Sequence, residues 1–167
     1  MFHRSTLVLA LIACAAALPA QAQQASASTT ATATVISPLM LSAVSPLNFG
    51  TVVTGGATGS VTVAPSGTRT SSGGVTLGSS AGVTPAQFSI TGQAGSSYSV
   101  SLPSSITLAD TASNTMTVDS FTHDLEGSPL LGPLGTGLMN VGATLRVGAT
   151  QASGVYTGTF SVTVNYN

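Results

Sequence analysis

The sequence predicts an all-β fold, an antiparallel β-sandwich, and three observations carry that expectation. First, many short apolar–polar alternations are separated by Gly, Pro and Ser clusters at intervals of roughly ten residues, the spacing of a sandwich rather than of βαβ units. Second, no segment offers an apolar face at helical spacing with caps. Third, the last stretch alternates without a slip from Tyr156 to Asn167. There Tyr156, Phe160, Val162, Val164 and Tyr166 share one parity, with Gly158 as the small member, and Thr157, Thr159, Ser161, Thr163, Asn165 and Asn167 share the other. Side chains of a strand leave opposite faces at period two, so Gly154–Asn167 reads as a half-buried antiparallel strand.

The chain has 167 residues, and its first 22 read as a secretory signal. Met1-Phe2-His3-Arg4 is a short basic start, Thr6 to Leu18 an apolar run, and Ala20-Gln21-Ala22 a small-x-small cleavage site. The expectation is an exported chain beginning at Gln23, with three parts: residues 1–22 as signal, 23–36 as an extended arm and 37–167 as a single sandwich domain. Leu11-Ile12-Ala13-Cys14 has the look of a lipobox. The signal before it would be unusually short, however, and Ala15 to Leu18 continue the apolar run, so Cys14 reads as an ordinary residue of that run. Cys14 is the only cysteine, which leaves the exported chain without a disulfide despite an oxidising destination. No later apolar run is long enough to span a bilayer.

Charge excludes more than it suggests. Only 4% of residues are charged, against about 25% in a typical domain. Beyond Ala22 the cations are Arg69 and Arg146 and the acids are Asp110, Asp119, Asp124 and Glu126. That is no footprint for neutralising phosphates, so a nucleic-acid partner is not expected. Nor is there a cationic amphipathic helix for a membrane surface. A surface of Ser, Thr and Gly resists proteases and tolerates dense packing, which suits an extracellular coat or polymer.

Along the exported chain, Gln23 to Thr34 is a low-complexity arm that nevertheless alternates. Ala25, Ala27, Ala31, Ala33 and Val35 fall on one parity, with Thr29 the one misfit. Such a segment reads either as a flexible tail or as a strand in need of a sheet edge. Gly55, Gly56 and Gly59 read as a loop, Ser60–Val63 as a short strand, Pro65-Ser66-Gly67 as a turn, and Ser71-Ser72-Gly73-Gly74 as a second turn. Strands follow at Gln87–Thr91, Tyr98–Leu102, Ile106–Leu108, Thr115–Phe121 and Thr144–Gly148.

Asp119 to Gly135 holds three of the four acids and His123. His123, Asp124 and Glu126 stand too close in sequence to converge on a metal, with no second ligand cluster elsewhere, so a solvated loop between strands is expected and no metal or other cofactor. Ser120 with His123 and Asp119 lacks the strand–turn–helix context of a nucleophile elbow, and no catalytic set is expected. The paired glycines open no helix and are not phosphate loops.

Particular residues carry a resemblance. Leu47-Asn48-Phe49-Gly50, a glycine-rich stretch and then Gly59-Ser60-Val61-Thr62-Val63 resemble the opening of archaic chaperone–usher pilins and spore-coat U-type proteins. The chain is more similar still to a secreted proteobacterial family related to them, the domain-of-unknown-function 4402 family. The shared features are Ala31–Val35, Pro38-Leu39, Gly67–Thr70, Gly73-Gly74-Val75, Leu102-Pro103, Val141–Leu145 and Gly154-Val155-Tyr156. The resemblance to pilins implies an immunoglobulin-like sandwich lacking one strand, whose open groove is filled first by a periplasmic chaperone. At an outer-membrane usher the N-terminal arm of the next subunit replaces that chaperone, giving a homopolymer at the cell surface. The donor stripe would be Ala25, Ala27, Ala31, Ala33 and Val35. Pilins also typically carry a penultimate tyrosine and a glycine at the fourteenth position from the end, matched here by Tyr166 and Gly154. The strand tied to chaperone and groove recognition would then present Gly154, Tyr156, Phe160, Val162, Val164 and Tyr166.

Two departures matter. The cysteine pair common in pilins is missing, and the donor stripe is mostly alanine rather than bulky. Smaller knobs bury less area, at about 25 cal/mol per Å². Weaker joints follow, or an arm folded into its own sandwich. A monomeric secreted binding module, such as a carbohydrate adhesin, is the alternative function.

Overall fold

The computed structural model describes residues 23–167; residues 1–22, read above as a signal and holding Cys14, lie outside them. Two compact units divide the chain between Thr34 and Val35. In the first, residues 23–34 are exposed and form no strand. The second carries nine antiparallel strands and, among the described residues, no helix.

The strands are β1 (Met40–Ser45), β2 (Val52–Val63), β3 (Arg69–Leu77), β4 (Ala86–Thr91), β5 (Tyr98–Ser101), β6 (Ser105–Ala109), β7 (Thr115–His123), β8 (Thr136–Val147) and β9 (Thr163–Tyr166). Seven form one sheet in the order β1-β4-β8-β2-β3, with β7 joined to β8 and β6 to β7, while β5 and β9 form a two-stranded sheet. The arrangement is sandwich-like. Val100, Val164 and Tyr166 of the small sheet pack on a core built from Ala86, Ile90, Met139 and Val141 of the large one, together with Tyr98 and Leu131.

β8 is the spine. Its first half pairs with β4, from Thr136↔Thr91 to Val141↔Ala86. Its second half pairs with β2, from Ala143↔Val63 to Val147↔Gly59, and with β7. It feeds both cores, Met139 and Val141 entering one and Ala143, Leu145 and Val147 the other, beside Phe49, Val61, Val63, Val75 and Val118. Thr144 is the one buried polar residue among those described, and its hydroxyl meets that of Thr62 at 2.9 Å.

Two sequence expectations are corrected. The glycines from Gly55 to Gly59 and from Ser71 to Gly74 do not form a loop and a turn; they lie inside β2 and β3. Val52–Thr54 pairs with Leu77–Val75 and Gly59–Val63 with Gly73–Arg69, the register shifting between the two blocks. Glycine is needed there because the strands press together: a Cβ on Gly74 would strike the Ala57 carbonyl oxygen. The turn at Pro65–Gly67 does hold, closed by Gly67 N–H donating to Ala64 O at 2.8 Å, with Gly67 at φ +84°. Second, the expected strand Thr144–Gly148 is the end of the twelve-residue β8. Its interior is buried on consecutive residues, so little alternation marks it.

The few ionisable groups are tied locally. Asp119 accepts a bidentate pair of hydrogen bonds from Arg146, Nε at 2.9 Å and Nη2 at 2.9 Å, which holds its carboxyl below the usual range. Asp110 is lowered chiefly by the Asn114 side chain. Burial, with Asp124 nearby, raises the Tyr98 phenol.

Two predictions follow from this frame. Lowered carboxyls stabilise the fold above their unfolded pKa of about 3.9, a contribution lost as pH falls below it, and a raised tyrosine favours the fold until pH rises past its unfolded value of about 10. Thermal melts should therefore be flat from about pH 5 to 9 and fall at both extremes; a peak near neutrality would contradict the assignment. Gly142 of β8 faces the β2–β3 turn, where a Cβ would lie 2.8 Å from Pro65 Cδ and meet the Val63 carbonyl oxygen. Gly142→Ala should cost about 1–3 kcal/mol in urea unfolding, the range for overpacking, whereas an unchanged midpoint would show that the turn yields freely.

Candidate functional site

The candidate site is an open apolar groove of about 1030 Å³. One wall is the chain from Ala43 to Thr54 and the other runs from Gln151 to Phe160. Between them the floor is lined by side chains of four strands: half-buried Phe88 of β4, Ile106 and Leu108 of β6 and Met116 of β7, and beneath them buried Ala86 of β4, Val118 of β7, and Leu145 and Val147 of β8.

The last stretch shows why the groove is open. Its burial alternates as the sequence predicts, with Tyr156, Phe160, Val162, Val164 and Tyr166 half-buried and their neighbours exposed. The pairing does not follow. Only Thr163–Tyr166 lies in a strand, β9, paired with Tyr98–Ser101, and Thr157 forms a single bridge with Ala109. Among the described residues, the peptide groups of residues 158–162 have no backbone partner. The expected strand of fourteen residues is thus a short strand preceded by an edge without one.

Side chains hold that edge in place. Phe160 packs edge-on to Phe88, ring centroids 6.0 Å apart, and against Phe121 at 5.1 Å. Tyr156 donates its hydroxyl hydrogen to Ala152 O at 2.7 Å and accepts from Gln151 Nε2 at 2.8 Å. Gly158 sits on β6, where a Cβ would come 2.7 Å from Thr107 O, and a Cβ on exposed Gly154 would lie 3.2 Å from Asp110 Oδ2. At the far end, the Tyr166 hydroxyl accepts from Gln93 N–H at 2.6 Å and donates to Ser37 O at 2.9 Å. Ser37 N–H in turn donates to Gln93 Oε1 at 3.4 Å. The root of the arm is therefore fastened beside the end of β9.

The opposite wall is held by sparse bonds. Asn48 exchanges both backbone hydrogen bonds with Thr84, and Thr51 bonds to Ser79 and Gly78. Asn48 Oδ1 accepts from Gly50 N–H at 2.8 Å, turning the chain through Gly50 at φ +69°. The sequence marked Leu47–Gly50 only as a resemblance; the Asn-x-Gly spacing is the signal that a turn stands there.

Ala25, Ala27, Ala31 and Ala33 are exposed, as is Val35 at 94%. Gly154, Tyr156 and Phe160 line the groove, whereas Val162, Val164 and Tyr166 pack on the core under β5 and β9. His123 ends β7 and its Nδ1 accepts from Leu125 N–H, while Asp124 accepts from both the backbone and side-chain amides of Asn140. Among the described residues no three His, Cys, Asp or Glu gather in one place, and no helix is long and apolar enough to cross a membrane.

No curated protein and no solved structure matches the chain. The sequence pattern of one family does match, over residues 39–166, from the residue before β1 to the last residue of β9 and so across both walls of the groove, and the chain belongs to that family, DUF4402, a domain of unknown function.

Proposed function

We propose that this protein is a structural subunit of a bacterial surface fibre or coat, assembled by donor-strand complementation of an incomplete, immunoglobulin-like sandwich. One observation carries the reading: an unpaired edge at residues 158–162 borders a groove floored by core side chains. A strand laid there would satisfy those peptide groups and cover the floor in one step. The arm has the matching character, an extended-type alternation with Ala25, Ala27, Ala31, Ala33 and Val35 on the side to be buried. The resemblance to chaperone–usher pilins supplies the rest of the pathway: export by the signal segment, a periplasmic chaperone on the groove, and an outer-membrane usher where a neighbour's arm replaces it.

Geometry favours a neighbour's arm over the chain's own. The arm joins the domain at Ser37, beside Tyr166 at the end of β9. Folded back along the groove, it would run parallel to the last stretch. An arm arriving from a second copy is free to enter antiparallel, the slightly more stable pairing. Length does not decide the matter, since residues 23–36 extended reach roughly 45 Å. That reach supports the second reading, a self-complemented secreted binding module. Against a carbohydrate platform, Tyr98 is 1% exposed and the hydroxyls of Tyr156 and Tyr166 are already engaged.

Surface-sheared material run in SDS before and after boiling should show a ladder that collapses to one band near the mature mass, and deleting residues 23–36 should abolish it. A single monomer band in both lanes would sink the polymer. The chain beyond the signal has no cysteine of its own, so introduced pairs report direction cleanly. Thr159→Cys combined with Thr34→Cys or Ser28→Cys should oxidise to cross-links between molecules; a monomer that only migrates faster would assign the arm to its own groove.

A further inference from the structure

We infer that Arg69 is the positioning residue of the groove: its guanidinium fastens the Phe49–Thr51 wall in the place an incoming strand requires. This rests on the reading of the groove as a strand acceptor. Arg69 opens β3, paired with Val63. Its Nη1 donates to Phe49 O at 2.9 Å, to Ser79 O at 3.2 Å and to Thr51 O at 3.3 Å, and its Nη2 donates to Gly78 O at 2.9 Å. Four carbonyls from two segments thus converge on one side chain. Gly50 makes room for it, since a Cβ there would lie 2.6 Å from Nη1.

The choice of residue is informative. Only two cations follow the signal segment, and the ion pair among the described residues belongs to the other one, Arg146 with Asp119. Arg69 is spent on neutral carbonyls instead. A guanidinium has five N–H donors in a planar fork and can serve acceptors on two chains at once; a lysine ammonium has three and no fork. The segments joined also matter. Residues 49–51 precede β2 and residues 78–79 follow β3; beyond the ladder they meet through only two backbone bonds, Thr51 N–H to Ser79 O at 3.2 Å and Gly78 N–H to Thr51 O at 2.9 Å, and the guanidinium adds to them. The groove side of the wall has no neighbour until a strand arrives. Arg69 supplies from behind the restraint that the absent strand would otherwise give, and it keeps Phe49 and Val52 lining the gap. None of its hydrogen bonds goes to β8, so its loss should loosen the wall and leave the spine intact.

The test uses the full mature chain, refolded at low concentration with a labelled peptide of residues 23–36, as wild type, Arg69→Lys and Arg69→Ala. Peptide dissociation should be about tenfold faster in both variants, the loss of roughly one charge-assisted hydrogen bond. Amide exchange should quicken similarly over residues 46–54 and stay unchanged over β8. Millimolar guanidinium, but not urea, should restore both properties to Arg69→Ala. Equal peptide capture by all three proteins would overturn the inference while sparing the strand-acceptor reading. Exchange rising as much in β8 as in the wall would also overturn it, by making Arg69 a general stabiliser. A wild-type chain that captures no peptide would overturn the strand-acceptor reading itself, and with it any part for Arg69 in acceptance.

Discussion

The constraint on which this structure turns is that every peptide group near a core needs a partner. The stretch from Gly158 to Val162 has none among the described backbone. It is not a loop drifting over the surface, because it is fastened at both ends: Thr157 pairs with Ala109 before it and β9 pairs with β5 after it. Phe160 in its middle is locked between Phe88 and Phe121. An unpaired edge beside an apolar groove is the configuration that domains commonly blunt with charge, proline or a covering element. None of the chain's few charged residues lies in this stretch.

Scarcity of charge and the absence of disulfides shape the remainder. Stability comes from one long strand that serves two cores, so β8 does what a cross-link would do in a disulfide-bonded domain. The larger polar side chains are spent at junctions. Tyr166 joins the C-terminal strand to the arm's root, Tyr156 closes its own turn, Asn48 shapes the wall and Arg69 gathers four carbonyls. With so few ionisable groups, each contact is local and short-range, and neither salt nor moderate pH has much purchase on the fold.

What was legible in the sequence follows from what period two encodes. Strands with one wet and one dry face, such as β4 to β7, are marked by their alternation. The first half of β8 was missed because exposed Leu138 stands beside buried Met139 and glycines at 137 and 142 flank them, so the residue types do not alternate although the burial does. Gly55–Gly59 and Ser71–Gly74 misled because glycine marks turns by default; here its use is close approach between paired strands, which depends on the partner and cannot be read from one segment. The last stretch shows the same limit from the other side. Alternation told which residues face inward from Tyr156 to Tyr166, but not that residues 158–162 lack a neighbour. A missing neighbour leaves no signature in the segment that lacks it. Arg69 stood among residues noted for resemblance, yet its role needed residues 49, 51, 78 and 79 brought together in space.

On the proposed strand-acceptor reading, the alanine stripe ties these points to the strength of a joint. A methyl group buries little area, and at about 25 cal/mol per Å² four alanines and a valine bring only a modest apolar gain. Five newly paired residues add main-chain bonds worth about 1 kcal/mol each, net of water. Against both stands the cost of ordering an exposed arm, about 1–2 kcal/mol per residue. Such a balance leaves no margin for a groove that must also order itself. Bulky donor residues could force a loose wall into shape by filling it; alanines cannot, because they reward a fit without compelling one. An acceptor for a small-residue strand therefore has to be built in advance, with Phe160 locked on one wall and Phe49 held by an arginine on the other.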